Sequence, residues 1–255
     1  MTAHERVMAA RAKGRTTSLE FIGEIFDGFI EMHGDRRYAD DRAIVAGIAW
    51  LGDIPATVIG TEKGHDLKSR TLRNFGSAHP EGYRKALRQM KLAEKFGRPV
   101  ICFVDTAGAY CGVGAEERGQ GQAIAENLME MMTLKTPVIS VFIGEGGSGG
   151  ALALAVADEV WMLDNATYSV ISPEGCASIL WKDSTKISEA SECLKLTSDD
   201  MLDFKIVDKV IAETDDMLEK LKNELIAAVK KFKKIEIQTL TENRYNRFRK
   251  YGDLK

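Results

Sequence analysis

Three continuous apolar runs in the middle of the chain constrain its fold more than any other feature. They are separated by two stretches of helical periodicity, so the order is strand, helix, strand, helix, strand. The runs are VICFV (100–104), VISVFI (138–143) and VWML (160–163), and the helical stretches are 115–133 and 148–157. A strand that is apolar on both faces is typical of a parallel sheet covered by helices. The sequence therefore predicts an α/β fold with a largely parallel sheet and flanking helices.

The N-terminal part predicts one helix and one hairpin. Thr17 and Glu20 have the spacing of a capping box, and apolar residues recur with helical period as far as Ile30, so we expect a helix over that stretch. Two β-rich runs, AIVAGIAWL and IPATVIG, follow it. They are joined by Gly52-Asp53, a two-residue link that favours a β-hairpin.

Polar and helical segments alternate in the rest of the chain. Residues 61–79 are predicted to form a long polar loop, and a helix is expected from Pro80 to Phe96, with Gly97 as its stop. The segment TYSVIS predicts a further strand. Residues 188–211 have the pattern of helices that return to a last strand, and 215–232 predicts a closing helix.

The length of the chain suits one domain. With 255 residues it can bury one large continuous core, so we expect 1–255 to be a single domain. Its core is predicted in 17–232, followed by a basic C-terminal tail in 233–255. We interpret that tail as a terminal helix with a packed aromatic edge and a solvated basic face, rather than as a nucleic-acid-binding arm.

Composition excludes several classes of protein. No apolar run approaches the ~20 residues that span a bilayer, and the first residues lack a secretory signal, so no membrane partner is expected. The 35 basic and 38 acidic residues give a net charge of −3, which argues against nucleic-acid binding. The four cysteines show no C-x-x-C spacing. We therefore expect reduced thiols, no metal site and a cytoplasmic location.

The segment GEGGSGGA (144–151) is the most unusual in the chain. It follows the run VISVFI directly and opens a short apolar helix. Glycines this dense cost backbone entropy, so they indicate that something approaches the main chain closely. The first N–H groups of a helix have no internal partner and lie at the positive end of its dipole. The sequence therefore predicts a site for an anion or oxyanion.

A second glycine-bearing loop follows the preceding strand. The residues DTAGAYCGVGAEERG (105–119) come directly after VICFV. Neighbouring parallel strands end at the same sheet edge, so the two loops are expected to lie together and to grip one carbonyl oxygen from both sides. Glycines that only form tight corners would give the same pattern, and both interpretations stay open on these residues alone.

A dinucleotide-dependent oxidoreductase is one alternative. Gly144-x-Gly146-x-x-Gly149 fits the dinucleotide fingerprint, and Asp164 lies near the spacing expected for a ribose-binding acid. The match is short, and a full strand and helix precede it where the fingerprint normally opens the fold. A nucleotide P-loop is excluded because Gly149 is followed by Gly150 rather than by lysine.

A serine hydrolase is a second alternative. Gly146-x-Ser148-x-Gly150 satisfies the pattern of a nucleophile elbow. All four histidines precede Ser148, so the usual order of serine, acid and histidine cannot be built. A triad of His65 or His79 with Asp105 and Ser148 stays open.

Three long segments resemble the α subunit of bacterial acetyl-coenzyme A carboxylase carboxyltransferase. They are DTAGAYCGVGAEERGQGQAIAENL, GEGGSGGALAL and YSVISPEGCASILWKD. The resemblance extends upstream through NFGSAHPEGYRKALRQMKLAEKFGRPV and fades after about residue 212. It implies a crotonase-like fold of ββα repeats.

The resemblance also implies the reaction and the partners. The family transfers the carboxyl group of carboxybiotin, held on the biotin carboxyl carrier protein, to acetyl-coenzyme A and forms malonyl-coenzyme A for fatty acid synthesis. This subunit would pair with a β subunit, as two α with two β, in a complex that includes an ATP-using biotin carboxylase. The β subunit would supply a zinc finger and most of the acetyl-coenzyme A site, so no metal is expected in this chain.

Four residues match the positions of the family that face biotin. Gly149 and Gly150 match a glycine pair whose N–H groups bind the ureido oxygen, and Gly112 and Val113 match the loop that faces the same ring. The resemblance requires no side-chain acid or base. The segment Glu116-Glu117-Arg118 also fits the family pattern, and we predict that it fixes the loop through ion pairs.

The chain departs from the family at two loop positions. Ala107 and Cys111 stand where the family often has proline, so a less rigid loop is expected. The basic loop 63–73 either contacts a phosphate or an acidic carrier surface, or is merely solvated. Another short acyl substrate such as propionyl-coenzyme A, and a non-catalytic assembly role, also stay open.

Overall fold

The computed structural model describes residues 1–252 and contains one mixed sheet of eight strands. The strands are β1 (Asp27–Glu31), β2 (Ile44–Leu51), β3 (Ile54–Thr61), β4 (Val100–Thr106), β5 (Val138–Gly147), β6 (Glu159–Leu163), β7 (Thr167–Ser169) and β8 (Lys209–Ile211). The first three pair antiparallel, and all later pairings are parallel. The predicted α/β class, its strands and the hairpin at Gly52-Asp53 are confirmed.

Twelve α-helices accompany the sheet within residues 1–252. They are α1 (Ala3–Ala10), α2 (Ser18–Ile25), α3 (Leu67–Leu72), α4 (Pro80–Phe96), α5 (Val113–Glu117), α6 (Gln120–Thr133), α7 (Ser148–Leu152), α8 (Pro173–Cys176), α9 (Ile187–Leu194), α10 (Ser198–Asp203), α11 (Met217–Phe232) and α12 (Ile237–Arg249). A 3₁₀ turn occupies Asn74–Gly76, and a π-helical turn occupies Ala177–Trp181. None of the helices described is long and apolar enough to cross a membrane.

The strands follow each other across the sheet in chain order, β1-β2-β3-β4-β5-β6-β8, with β7 beside the end of β5. Because the order never reverses, right-handed crossovers place α4 and α6 on the same face, where they pack together. The fold therefore lacks the reversal point at which doubly wound sheets bind dinucleotides.

Helices cover both faces of the sheet. Ile44 and Val45 are adjacent in β2 and point to opposite faces. Ile44 borders Gly82 of α4, whereas Val45 and Ser18 of α2 both border Gly60 in β3. The strands are apolar on both faces because helices bury both sides of the sheet, as predicted.

The N-terminal helix is shorter than predicted. It has the expected capping box between Thr17 and Glu20, but it ends at Ile25, and Phe26 adopts an extended conformation. Residues Asp27–Glu31 then form β1 against β2. The prediction of helix as far as Ile30 is wrong because β2 offers an unpaired edge, and pairing with it outweighs local periodicity.

Several other boundaries also differ from the predictions. The predicted polar loop 61–79 contains α3, and the predicted helix 115–133 is broken where Gly119 takes a left-handed φ of 82°. Helix α7 stops at Leu152, so the predicted helix 148–157 is too long. The helix predicted at 80–96 is confirmed, and Gly97 ends it in the left-handed conformation.

The C-terminal helix packs on the core more deeply than expected. The predicted terminal helix is present as α12, and it contacts α6. Its Arg244 is buried and pairs with Asp158 at 2.7 Å, so its basic face is not wholly solvated. Residues 253–255 of the predicted basic tail lie outside the described residues.

Candidate functional site

The glycine segment is part of a strand before it becomes a helix start. Strand β5 continues through Gly147, and its last residues pair with β7 instead of forming a loop. A Cβ on Gly147 would lie 2.0 Å from the carbonyl oxygen of Ala107. The end of β5 and the loop after β4 therefore touch through their backbones, and the prediction that the two segments lie together at one sheet edge is confirmed.

Gly149 and Gly150 lie in the first turn of α7. The residue that precedes this helix is Gly147, which has no side chain and so cannot cap it. The N–H groups of the first turn consequently have no partner within the helix and are oriented to donate outward. Ser148 begins the turn with a φ of 49°, a left-handed conformation that is costly for a residue with a side chain.

The loop after β4 lies against the second glycine of the pair. A Cβ on Gly150 would lie 2.5 Å from the amide nitrogen of Ala109 and 2.8 Å from the hydroxyl of Tyr83. That hydroxyl is buried and has no hydrogen-bond partner among the residues described, and burial raises the pKa of Tyr83. Residue 150 must therefore be glycine for the two loops to meet.

Gly112 and Val113 begin the short helix α5 in the same loop. Gly112 packs on the ring of Tyr110, and Val113 is 75% exposed. The structure brings Ala109, rather than Gly112 or Val113, into contact with Gly150. Val113 is thus available at the surface for contact with a ligand or another chain.

Helix α4 fixes the position of this loop. The side-chain amide of Gln120 donates to the carbonyls of Ala78 and Tyr110, and Arg118 pairs with Glu81 at 2.8 Å. The loop-fixing role predicted for Arg118 is confirmed. It is wrong for Glu116 and Glu117, which form no ion pair with any residue of the described chain.

A buried ionic cluster lies beside the glycine strand end. The ammonium group of Lys63 is 2.7 Å from Asp105 and 2.8 Å from Glu145. Glu145 also pairs with Arg11 at 2.6 Å, and Arg11 reaches Glu174 at 2.5 Å. Burial alone would lower the pKa of Lys63, but the two carboxylates raise it overall. Burial would likewise raise the pKa of Glu145, and Lys63 and Arg11 lower it.

Sequence analysis did not find this cluster. A usable signal existed, because Lys63, Asp105 and Glu145 stand at or just beyond the carboxyl ends of three neighbouring strands. Lys63 belongs in sequence to the basic loop 63–73, whose other members include exposed residues such as Lys68, so its burial is not evident from the sequence.

An apolar cavity of about 460 Å³ opens next to the first turn of α7. Its lining includes Ser148 and Gly149 of α7 together with Phe248 and Tyr251 of the C-terminal region. Its volume falls within the range of about 300–1,000 Å³ that is usual for small-ligand sites. The N–H groups of α7 thus lie at the border of a pocket that suits a mostly apolar group.

The structure does not assemble a serine triad. His65 lies 3.6 Å from Glu20, and His79 stacks on Tyr110 with ring centres 4.4 Å apart. Asp105 is bound to Lys63, so it orients no histidine. Ser148 therefore has no base, and the hydrolase alternative is not supported.

The dinucleotide alternative fails on geometry. Gly144 and Gly146 lie within β5, whereas the fingerprint requires them in the turn between strand and helix. A Cβ on Gly144 would lie 2.3 Å from the carboxylate of Asp105, and one on Gly146 would lie 2.3 Å from the ring of Phe142. Packing explains both glycines.

The described residues offer no group of three or more His, Cys, Asp or Glu side chains that could hold a metal ion. Cys102 is buried, and burial raises the pKa of its thiol to about 12. Cys111 is exposed in the loop beside Gly112, and no disulfide forms among the four cysteines.

Solved carboxyltransferases share this fold. Transcarboxylase 12S, with methylmalonyl-coenzyme A bound, matches with a TM-score of 0.73 and 18% identity over 89% of this chain and 43% of its own. The β subunit of Pseudomonas aeruginosa geranyl-CoA carboxylase matches with a TM-score of 0.69 and 16% identity over 93% of this chain and 46% of its own. The chain spans less than half the length of these proteins. Its fold is that of the crotonase-like carboxyltransferases.

Sequence comparison places the chain more narrowly. Residues 1–252 match the family described as acetyl co-enzyme A carboxylase carboxyltransferase-like. The acetyl-coenzyme A carboxylase carboxyl transferase subunit alpha of Ruminiclostridium cellulolyticum is 61% identical over 256 residues, which cover 99% of this chain and 98% of that relative. The chain belongs to the family of acetyl-coenzyme A carboxylase carboxyltransferase α subunits.

Proposed function

We propose that the chain is the carboxybiotin-binding half of a carboxyltransferase that converts acetyl-coenzyme A to malonyl-coenzyme A, the first committed step of fatty acid synthesis. The observation that carries the proposal is the uncapped first turn of α7, which is made of small residues and meets the loop after β4 at Gly150. The family and the fold support the same reaction class.

Gly149 and Gly150 act as the oxyanion site. Their N–H groups donate to the ureido oxygen of biotin, whose negative charge grows as the carboxyl group leaves. Such donors are already oriented before the reaction, so they stabilise the transition state without reorganisation. Gly112 and Val113 contact the same ring from the loop after β4.

Gly149 supports a ligand-binding role by a separate argument. A Cβ at this position would lie 3.6 Å from Ile124, an ordinary contact, so the fold does not require glycine there. Glycine costs a helix about 1 kcal/mol relative to alanine. Because Gly149 borders the apolar cavity, we attribute its small size to the approach of a ligand.

The residues present fit biotin. The fused rings and alkyl chain of biotin are mostly apolar, and the cavity beside Gly149 is lined mostly by apolar side chains. The ureido oxygen needs donors, which the first turn of α7 provides. Carboxybiotin, when bound, supplies the carboxyl group; this chain orients the ring and stabilises the charge.

The proposal includes partners and a location. A β subunit provides the rest of the acetyl-coenzyme A site, in an assembly of two α with two β subunits. The biotin carboxyl carrier protein delivers the group, and biotin carboxylase loads it. We place the complex in the cytoplasm. The α subunit naming of a relative that is 61% identical supports the β partner.

Decarboxylation of malonyl-coenzyme A in the presence of free biotin tests the reaction in reverse. The purified chain is assayed alone, with its β subunit, and with the β subunit but without biotin. We expect turnover only when both chains and biotin are present. A folded and associated pair that stays inactive would refute the substrate assignment, and turnover by the single chain would refute the shared site.

A further inference from the structure

A second cavity lies on the same sheet edge as the glycine pair. It measures about 290 Å³ and is enclosed by the segment after α1, the segment after β3 and the ends of β4 and β5. It shares Arg11, Ala107 and Glu145 with the smaller cleft that leads to Ser148. The cavity is therefore next to the proposed reaction site but separate from the apolar pocket.

The lining of this cavity carries an excess of positive charge. It includes five Arg or Lys side chains, which face two carboxylates. The carboxylates of Asp105 and Glu145 are both bound to Lys63, and Glu145 is also bound to Arg11. The cations in the lining that form no ion pair within residues 1–252 are Lys13 and Arg70.

Arg70 has an unmade hydrogen bond at the cavity. Its Nε is buried and has no acceptor in the described chain. A guanidinium group is planar and recognises phosphate oxygens with paired N–H donors. The side chain as a whole is only partly buried and lines the cavity, so an anionic ligand would bind to its terminal N–H groups rather than to Nε.

The cavity also contains an exposed aromatic ring on a strained backbone. Phe75 lines the cavity, is 49% exposed and has a φ of 54°. Asn74 beside it has a φ of 48°. Two successive residues with side chains in the left-handed region are costly, and such strain is concentrated at functional sites. A half-exposed ring next to free cations is suited to stack on a nucleobase.

From these observations we propose that this cavity binds a phosphorylated nucleoside, with the base on Phe75 and the phosphate on Arg70 and Lys13. The carboxylates of Asp105 and Glu145 are bound to Lys63 and Arg11, so their charge is compensated beside the phosphate. A coenzyme A thioester carries a phosphorylated adenosine, so the substrate itself is one source of such a ligand. In this respect the inference rests on the proposed function.

Calorimetric titration of the full chain with inorganic pyrophosphate and with adenosine 3′,5′-bisphosphate tests the site. Arg70→Gln should weaken both ligands about tenfold, because it removes the charged donor. Phe75→Leu should weaken only the nucleotide, also about tenfold, because pyrophosphate has no base to stack. Lys68→Gln, an exposed residue of α3 outside the lining, is the matched control and should change neither.

The source of the nucleotide is tested with the reconstituted pair of subunits. If it belongs to the thioester, Arg70→Gln raises the KM for acetyl-coenzyme A about tenfold and leaves kcat unchanged. If KM is unchanged while calorimetric binding is lost, the site takes a free nucleotide. Wild-type chain that binds neither probe, or losses that Lys68→Gln reproduces, would overturn the inference. Calorimetry does not depend on turnover. If the wild-type pair binds both probes but is inactive, the result counts against the proposed function and not against this site.

Discussion

At the scale of single residues, three glycines near the candidate site are explained in two different ways. Gly147 and Gly150 have no room for a side chain because backbone atoms of the loop after β4 lie within 2.5 Å of the position of a Cβ. Gly149 has room. Packing therefore explains the first two, and under the proposed function the approach of a ligand accounts for the third.

Gly147→Ala is predicted to destabilise the fold. The new methyl group would lie 2.0 Å from the carbonyl oxygen of Ala107, so β5 and the loop after β4 must separate. Overpacking of this kind costs about 1–3 kcal/mol. Urea unfolding measures the loss. Gly23→Ala in α2, where nothing lies within 4 Å, is the control and should not destabilise the protein.

Tyr83→Phe is predicted to leave stability unchanged or to raise it. The hydroxyl of Tyr83 is buried without a partner, and an unpaired buried polar group costs about 1–3 kcal/mol. The substitution removes that cost and keeps the ring. The same unfolding measurement checks it. A loss of stability above about 1 kcal/mol would mean that the hydroxyl is hydrogen-bonded after all.

The sequence indicated the glycines of the candidate site, but it did not indicate the residues that pack against them. The dense glycines of 144–150 were visible because glycine is costly unless something requires it. The contact of Tyr83 with Gly150 joins residues from α4 and α7, and no local pattern reports such a contact. The burial of Lys63 likewise depends on Asp105 and Glu145, which reach it through the order of strands in the sheet.

At the scale of elements, ionic groups connect segments that local patterns leave unrelated. Lys63, Asp105 and Glu145 join the ends of β3, β4 and β5, and Arg11 joins this cluster to the end of α1. A buried ion pair contributes little over an apolar substitute, but the loss of one partner is costly because the other charge stays buried.

Lys63→Met is predicted to cost about 3–5 kcal/mol at neutral pH, since it leaves Asp105 buried without a cation and Glu145 with Arg11 alone. The pKa of Glu145 lies below its ordinary 4.5, so its stabilising effect is complete above pH 4.5 and is lost as the pH falls through the folded value. The pKa of Lys63 lies above 10.5, so its effect is complete below pH 10.5. Between these limits the wild type should keep its full advantage.

Urea unfolding at about pH 7 and about pH 4 checks this prediction. The difference between wild type and Lys63→Met should shrink at the lower pH, because protonation of Glu145 reduces the excess of buried negative charge that the variant leaves in the cluster. Lys68→Met, at an exposed site, should show almost no difference at either pH. A difference that is constant with pH would show that the ion pair is not its cause.

Arg244 is predicted to contribute strongly to the attachment of helix α12. Arg244 is fully buried, pairs with Asp158, and donates to three carbonyls at the end of α6 and beyond, those of Met131, Leu134 and Thr136. Arg244→Met should cost about 3–5 kcal/mol because these groups lose their donor. Arg249→Met, exposed on the same helix, is the matched control. Equal unfolding free energies for the two variants would refute the assignment.

Local signals predicted an element well where both of its ends carried a signal. The helix over Pro80–Phe96 was predictable because it has a proline start, a glycine stop and a full apolar period. The N-terminal segment gave no such pattern, yet α1 forms and packs on α9 and β5. The capping box of α2 marked its start, but its end at Ile25 was set by strand pairing.

At the scale of the whole molecule, the order of the strands determines where the site lies. Because β3, β4, β5 and β6 add in sequence and run parallel, the loops after β4 and β5 leave the same edge side by side. The class of fold was predictable from three apolar runs, and the juxtaposition of the two glycine-bearing segments from the order of the strands that precede them. The division into a core 17–232 and a tail 233–255 stays a prediction, although Leu240 and Arg244 of that tail are buried.

The activity of Gly149→Ala tests the central claim most directly. The variant is combined with the β subunit, and kcat/KM is measured for biotin-dependent decarboxylation of malonyl-coenzyme A. Gly121→Ala in α6, where nothing lies within 4 Å, is the matched control. A methyl group at residue 149 would lie 3.6 Å from Ile124, so the fold tolerates it, but residue 149 lines the cavity assigned to biotin. We predict a loss of about 100-fold for Gly149→Ala, with folding and association intact, and almost none for Gly121→Ala, because only the first obstructs the approach of biotin to the oxyanion donors. A fully active Gly149→Ala pair would contradict the account.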